Sequence, residues 1–326
     1  MTEEIRKFST KRSTGKIVGI VIACIFFVFL LSGACFVFGL ITGSTGGKTP
    51  IAAAGGEAIY EIKLEGVISA TKYSGLTGVS VTPEEIIEEL KTAEESPNVK
   101  AILLRINSPG GSAAASQEIY EEIKKVEKPV VVSVADTCAS GAYYLACAAD
   151  KILANRASAV GSIGVIMQIV NLEGLYEKLG IKYTTIKQGK YKDVGSPDRP
   201  ITPEEKMLLE EQTKEIYEQF ISDVAKERGM DVSKVRELAT GWVFIGSEAL
   251  EKGLIDQIGN YSDAVKVAAE LGGIKGKPEV VRKKAPTIWD MILSYYLGVI
   301  QDKIGKLIGI NIWMDDSFSN TPVFEY

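Results

Sequence analysis

Between Asp136 and Met167 the chain reads DTCASGAYYLACAADKILANRASAVGSIGVIM, and this stretch restricts the fold most. The run before it, Pro129–Ala135 (PVVVSVA), has the β-branched density of a buried strand. A turn of small residues follows, Ala139-Ser140-Gly141-Ala142, and then a helix-forming segment to about Ala149. A strand that feeds a helix through so short a turn belongs to an α/β arrangement. It also presents Ser140 at the helix's amino end, where backbone N–H groups lack intrahelical partners.

The sequence contains no histidine. A reactive hydroxyl at that turn must therefore pass its proton to a lysine, a carboxylate or a chain terminus. A free lysine titrates near about 10.4 and is a poor base at neutral pH; burial among apolar groups lowers that value by several units. A usable lysine needs an otherwise uncharged pocket and a hydroxyl or carbonyl to hold it. Lys124, Lys125, Lys178, Lys206, Lys214 and Lys226 fall on charged helix faces. Lys187, Lys190 and Lys192 lie in or beside the polar loop Lys190–Arg199 (KYKDVGSPDR) and are near-equal candidates on spacing alone. Ser162, between Gly161 and Ile163, could supply the orienting hydroxyl, although a serine beside glycine serves equally well as a turn residue. The Gly110-Gly111 pair offers backbone N–H groups at a strand end, where an oxyanion hole would be built; a plain tight turn uses the same residues.

Other chemistries find little support. A net charge of −5 leaves no electrostatic footprint for nucleic acid. Neither G-x-G-x-x-G nor a Walker lysine motif occurs, and four scattered cysteines without histidine do not make a zinc site, so no metal or nucleotide cofactor is implied. Ser69–Lys72 matches S-x-x-K by chance, since no K-T-G follows. Cys138 and Cys147 are expected as small core residues.

Residues 1–16 form a basic tail, and 17–42 carry no charge over a length that spans a bilayer, which takes about 20 apolar residues. The basic flank precedes that segment, so a single-pass anchor with a cytoplasmic N-terminus and an outward-facing body is expected. Residues 43–56 read as a linker, 57–275 as the catalytic domain, and 276–326 as an extension with an amphipathic helix at Thr287–Ile308 and an extended tail. Within the body, strands are predicted at Ala58–Leu64, Val99–Ile106, Pro129–Ala135, Lys151–Ala154 and Lys182–Lys187. Helices are predicted at Pro83–Glu95, from Ser112 to about Val126, and at Leu172–Leu179, Pro203–Arg228 and Val232–Ala239. The alternation implies crossovers and a mainly parallel sheet.

Several motifs in order, Asn107–Ser112 (NSPGGS), Ala139–Tyr144 (ASGAYY), Ala148–Ile152 (AADKI), Gly161–Ile166 (GSIGVI) and Lys192-Asp193, resemble signal peptide peptidase A in its short, membrane-anchored form. The likeness covers roughly residues 57–270; Ala142 replaces the commoner glycine. It implies a Clp/crotonase-like α/β fold of repeated β-β-α units around a mainly parallel sheet, and a serine endopeptidase with a Ser-Lys dyad. Ser140 then matches the nucleophile, Lys192 the base and Ser162 the lysine-orienting serine. Gly110 and the Ser140 N–H match the oxyanion hole, with Gly111 as a further donor. The expected substrates are signal-peptide remnants and short apolar peptides at the bilayer reached through residues 17–42. The resemblance also implies a homo-oligomeric ring whose sites take serine and lysine from neighbouring subunits, so Ser140 and Lys192 are expected far apart in one chain. The alternatives are a related Ser-Lys protease that cuts apolar tails of stomatin-like proteins, a non-catalytic anchored scaffold, and a crotonase-type acyl-CoA enzyme, which the outward topology disfavours.

Overall fold

The computed structural model describes residues 56–75 and 78–283. The expected anchor, most of the linker and the Thr287–Ile308 helix lie outside them. Among the described residues no helix is long and apolar enough to cross a membrane.

The chain opens with β1 (Ala58–Glu65), a small group of strands β2 (Val67–Ile68), β3 (Ser74–Gly75) and β4 (Gly78–Val81), and helix α1 (Pro83–Glu95). Next come β5 (Val99–Ser108), α2 (Ala113–Ile123), β6 (Val130–Ala139), α3 (Gly141–Ala146), β7 (Lys151–Ala154), β8 (Ala159–Gly161) and α4 (Glu173–Leu179). The last part holds α5 (Pro203–Arg228), α6 (Val232–Leu238), β9 (Val243–Ile245), α7 (Gly246–Glu251), β10 (Gln257–Ile258), α8 (Tyr261–Leu271) and β11 (Glu279–Arg282).

The main sheet runs β10-β7-β6-β5-β1-β11, and β8 branches from β6 to pair with β9. All its pairings are parallel except β8 with β9. This mixed α/β body with a largely parallel central sheet fits the Clp/crotonase-like expectation. Its central strands are buried on both faces, as a parallel sheet covered by helices requires. Ile59, Ala101, Leu103, Val131 and Leu153 pack against Ala264, Ala268 and Ala269 of α8. On the other side α1 lies on β1 and β5, with Ile86 and Leu90 buried, and α3 lies on β6. Each fully buried Ile, Leu or Val contributes about 1.5–3 kcal/mol.

Local signals set the helix starts. Thr82 and Glu85 form a capping box ahead of Pro83, and Thr202 and Glu205 form another ahead of Pro203. Gly229 ends α5 in the left-handed region. One expected strand, Lys182–Lys187, is not formed. Its segment is irregular and exposed, Ile186 being 93% exposed, and among the described residues no strand pairs with it to complete a ladder. β6 exceeds its expected length: β7 pairs with its first half, and β8 with Thr137, Cys138 and Ala139. That second pairing carries the sheet to the residue before Ser140.

Candidate active site

Ser140 sits between the end of β6 and the first turn of α3, with φ 52° and ψ −126°. Ser162, just past the end of β8, has φ 51°. Among the described residues these are the two non-glycine positions with positive φ. Each such conformation costs on the order of 1–3 kcal/mol and persists only where the surroundings impose it. Both serines line one cavity of about 740 Å³.

Pairing explains the two strained turns. The Ser140 N–H donates to the Gly161 carbonyl at 2.8 Å, and the Ser162 N–H donates to the Trp242 carbonyl at 2.9 Å. The Ser140 side chain makes no cap hydrogen bond with α3. The Ser162 hydroxyl donates to the Gly241 carbonyl at 3.2 Å, which leaves its lone pairs able to accept from an ammonium group.

Two of the three amides expected at the oxyanion hole are already engaged. The Ser140 N–H is engaged by Gly161, and the Gly110 N–H donates to the Ser108 hydroxyl at 3.1 Å. Gly111 is better placed. A parallel bridge joins it to Ile68, using the flanking Gly110 carbonyl, which accepts from Ile68 at 2.9 Å, and the Ser112 N–H, which donates at 2.8 Å. That pattern turns the Gly111 N–H away from Ile68. A second free amide lies at Gly141, the first residue of α3, whose N–H has no intrahelical acceptor. A Cβ built on Gly141 would lie 3.5 Å from the Gly111 nitrogen, so the two amides are neighbours, and both residues line the cavity. The sequence reading did not single out Gly141, although its place directly after Ser140 at the start of a helix was the available signal.

Glycine is required at both earlier positions of this loop. Gly110 has φ +94°, and a Cβ there would approach the Gly141 nitrogen to 2.7 Å. Gly111 has φ +154°, and a Cβ there would lie 2.0 Å from the Ile68 carbonyl.

The three candidate lysines separate. Lys187 pairs with Asp193, and Lys190 holds both carboxylate oxygens of Glu204 at 2.6 and 2.7 Å. The Glu204 hydrogen bond raises the Lys190 pKa, the wrong direction for a base. Lys192 is exposed, in the turn after Gly189, and does not line the Ser140 cavity. The described residues that do line it include no lysine, arginine, aspartate or glutamate. Val165, Ile166, Met167, Ile216 and Phe220 make much of its wall.

Cys138 and Cys147 are free and buried, and burial pushes both thiols up, Cys147 to about 12. Among the described residues no group of acidic or sulfur side chains could hold a metal ion.

Comparison with known proteins bears on this geometry. The model of peptidase family S49 matches residues 122–275, which include Ser140, Ser162 and Lys192 but stop short of the Gly110-Gly111 loop. A putative protease of Methanocaldococcus jannaschii is 41% identical over 226 residues, covering 68% of this chain and 71% of that protein. The chloroplastic serine protease SPPA of Arabidopsis thaliana is 39% identical over 236 residues, covering 71% of this chain but 34% of that protein. A putative signal peptide peptidase SppA of Enterococcus faecium is 39% identical over 216 residues, 65% of this chain and 63% of that protein. Identity of this level, sustained over most of a relative's length and across the strained serines, means that the chain belongs to peptidase family S49.

Proposed function

We propose that this chain is a membrane-anchored serine endopeptidase in which Ser140 attacks a peptide carbonyl and Lys192 of a neighbouring copy takes the proton. The observation that carries this reading is the cavity itself, which opens on a strained serine and has no charged group among the described residues of its lining. A base for Ser140 must then arrive from outside that wall. Residues 166–191 suit such a delivery. α4 has no buried residue, and Ile166, Val170, Leu179 and Ile186 are all exposed, so this arm carries apolar surface that its own chain leaves uncovered.

In the first step the Ser140 Oγ bonds to the carbonyl carbon while its proton passes to the neutral lysine amine. The Gly111 and Gly141 N–H groups donate to the oxygen that becomes negative. The C–N bond then breaks, the lysine returns the proton to the departing amine, and an acyl-serine remains. Water, losing a proton to the same lysine, releases the acid and restores Ser140. The Ser162 hydroxyl would hold the incoming amine.

The apolar wall favours apolar peptides. The names of the relatives and the apolar segment at residues 17–42 support remnant signal peptides as substrates, cut by a body held at the outer face of the membrane.

The test combines two inactive variants, Ser140→Ala and Lys192→Ala, by co-expression. Random mixing in a ring pairs an intact serine with an intact neighbouring lysine at about a quarter of sites, so about a quarter of wild-type cleavage should return. Full activity in either single variant would sink the dyad, and no recovery in the mixture would sink the shared site.

A further inference from the structure

Asn107 and Ser108 end β5, and neither lines the Ser140 cavity. The pairing of β5 with β6 changes step at this point. Ile106 pairs with Val134 but Ser108 pairs with Cys138, so two steps along β5 match four along β6. The irregular step leaves the Thr137 N–H to a side chain, and Asn107 Oδ1 accepts it at 3.2 Å. Pairing resumes directly with Cys138, two residues before Ser140. Asn107 therefore braces the strand end that presents the hydroxyl.

Ser108 acts on the other half of the site. Its side chain is fully buried, where a hydroxyl without a partner is costly. Pro109 has no N–H, so the Ser108 hydroxyl reaches past it to the Gly110 N–H at 3.1 Å. The Gly110 carbonyl in turn accepts from Ile68 at 2.9 Å, which fixes this residue at both ends. A trans peptide holds its C=O and N–H on opposite sides, so a Gly110 carbonyl on Ile68 sends the Gly111 N–H the other way. The loop also abuts the nucleophile turn: a Cβ built on Gly110 would lie 2.8 Å from the Ser140 Cβ. A small swing of either part is felt by the other.

We infer that Asn107 and Ser108 are positioning residues for the reaction. Asn107 holds the strand end that carries Ser140, and Ser108 holds the loop that aims the Gly111 N–H. Being adjacent in one strand, they fix the distance between nucleophile and oxyanion donor. This deepens the reading proposed above and rests on Ser140 as nucleophile and Gly111 as donor.

The experiment uses the full-length chain, a fluorogenic apolar peptide and two inhibitors built on the same peptide. One ends in an aldehyde, which bonds to Ser140 and places an oxygen at the oxyanion position; the other ends in the corresponding alcohol and does not bond covalently. Ser108→Ala releases the Gly110 N–H and lets the loop turn. It should lower kcat by about tenfold to hundredfold with KM within about twofold. Aldehyde affinity should fall by a similar factor while the alcohol stays within about twofold, since only the aldehyde uses the oxyanion donors. Asn107→Ala should act in the same direction, and Asn107→Asp, which keeps an acceptor oxygen for Thr137, should recover most of the loss. The Asn107 variants decide the matter if Ser108→Ala fails to fold. Aldehyde and alcohol affinities that move together, or Asn107→Asp no better than Asn107→Ala, would overturn the positioning role while Ser140→Ala still abolishes cleavage. Cleavage that survives Ser140→Ala would overturn the nucleophile, and this inference with it.

Discussion

The backbone N–H of Ser140 donates to the carbonyl of Gly161 at 2.8 Å, joining the strand end that carries one strained serine to the turn that carries the other. This bond lies on the β6–β8 pairing, where Cys138 faces Val160 and Ala139 faces Gly161. The sheet therefore sets the spacing of the two hydroxyls. Strain at Ser140 is the energetic cost of presenting a side chain where glycine would be at ease. Ser140→Gly should abolish peptide cleavage and yet raise the unfolding free energy by about 1 kcal/mol, strain relief outweighing the added freedom of the unfolded chain. Urea denaturation with an unchanged m-value measures this; a destabilised glycine variant would contradict the strain argument.

Gly141 has a different constraint. Its backbone is helical, but an added Cβ would lie 2.2 Å from the Ser116 hydroxyl and 3.1 Å from the Ser116 Cβ, while the next neighbour, Gly111 N, is at 3.5 Å. Gly141→Ala should then cost about 1–3 kcal/mol by overpacking and lower kcat by displacing the proposed oxyanion donor. Adding Ser116→Gly removes both close atoms, so the double variant should regain activity that neither stability nor helix propensity predicts. Strictly additive losses in the double-mutant cycle would show that the two residues do not compete for this space.

Much of the body was legible because its signals are local. Thr82-Pro83 and Thr202-Pro203 mark helix starts through caps that need no tertiary partner, and VKAILLRI and PVVVSVA can only be strands buried on both faces. Ser140 stood out because the absence of histidine narrows its chemistry. Which amides of the Ser140 and Gly110-Gly111 turns are already bonded was not legible, for the opposite reason. Whether an amide is free depends on a partner far away in sequence, Gly161 for Ser140 and Ile68 for the loop around Gly111, and no spacing rule supplies that. Lys182–Lys187 failed as a strand because alternation describes a half-covered surface without saying that a second strand covers it.

The two buried cysteines should be chemically silent. Cys138 lies two residues before Ser140, yet its side chain is fully buried and its thiol donates to the Ala142 carbonyl at 3.5 Å. Burial disfavours the thiolate at both sites, and the thiolate is the reactive form. Iodoacetamide at pH 8 should leave Cys138 and Cys147 unmodified in the native chain and label both in denaturant, as peptide mass analysis would show. Rapid native labelling at Cys138 would mean that the β6–α3 junction opens.

The loop that carries Lys192 is held by a charge cluster, and acid should loosen it. Arg199 donates to both oxygens of Asp193, from Nε at 3.0 Å and Nη2 at 3.0 Å, and to Glu205 through Nη1 at 2.9 Å and Nη2 at 2.6 Å. Lys187 adds a second cation at Asp193. Hydrogen bonds from Arg199 first, and then from Lys187, hold the Asp193 carboxyl well below the usual range; Arg199 and the Thr202 backbone bring Glu205 to about 2. Depressed folded values mean that the stabilisation is fully present above the unfolded values near about 4, and is lost as pH falls through the folded ones. The parent protein's Tm should therefore drop steeply between about pH 4 and pH 2. Arg199→Leu should lower Tm at neutral pH, flatten that acid limb and converge with the parent only well below about pH 2, where both carboxyls are protonated and the guanidinium has nothing left to hold. Because Asp193 adjoins Lys192, the same variant should lose cleavage at neutral pH while Ser140 and its cavity stay intact. Parallel Tm curves for parent and Arg199→Leu across that acid range would show that the cluster is not what orders the loop.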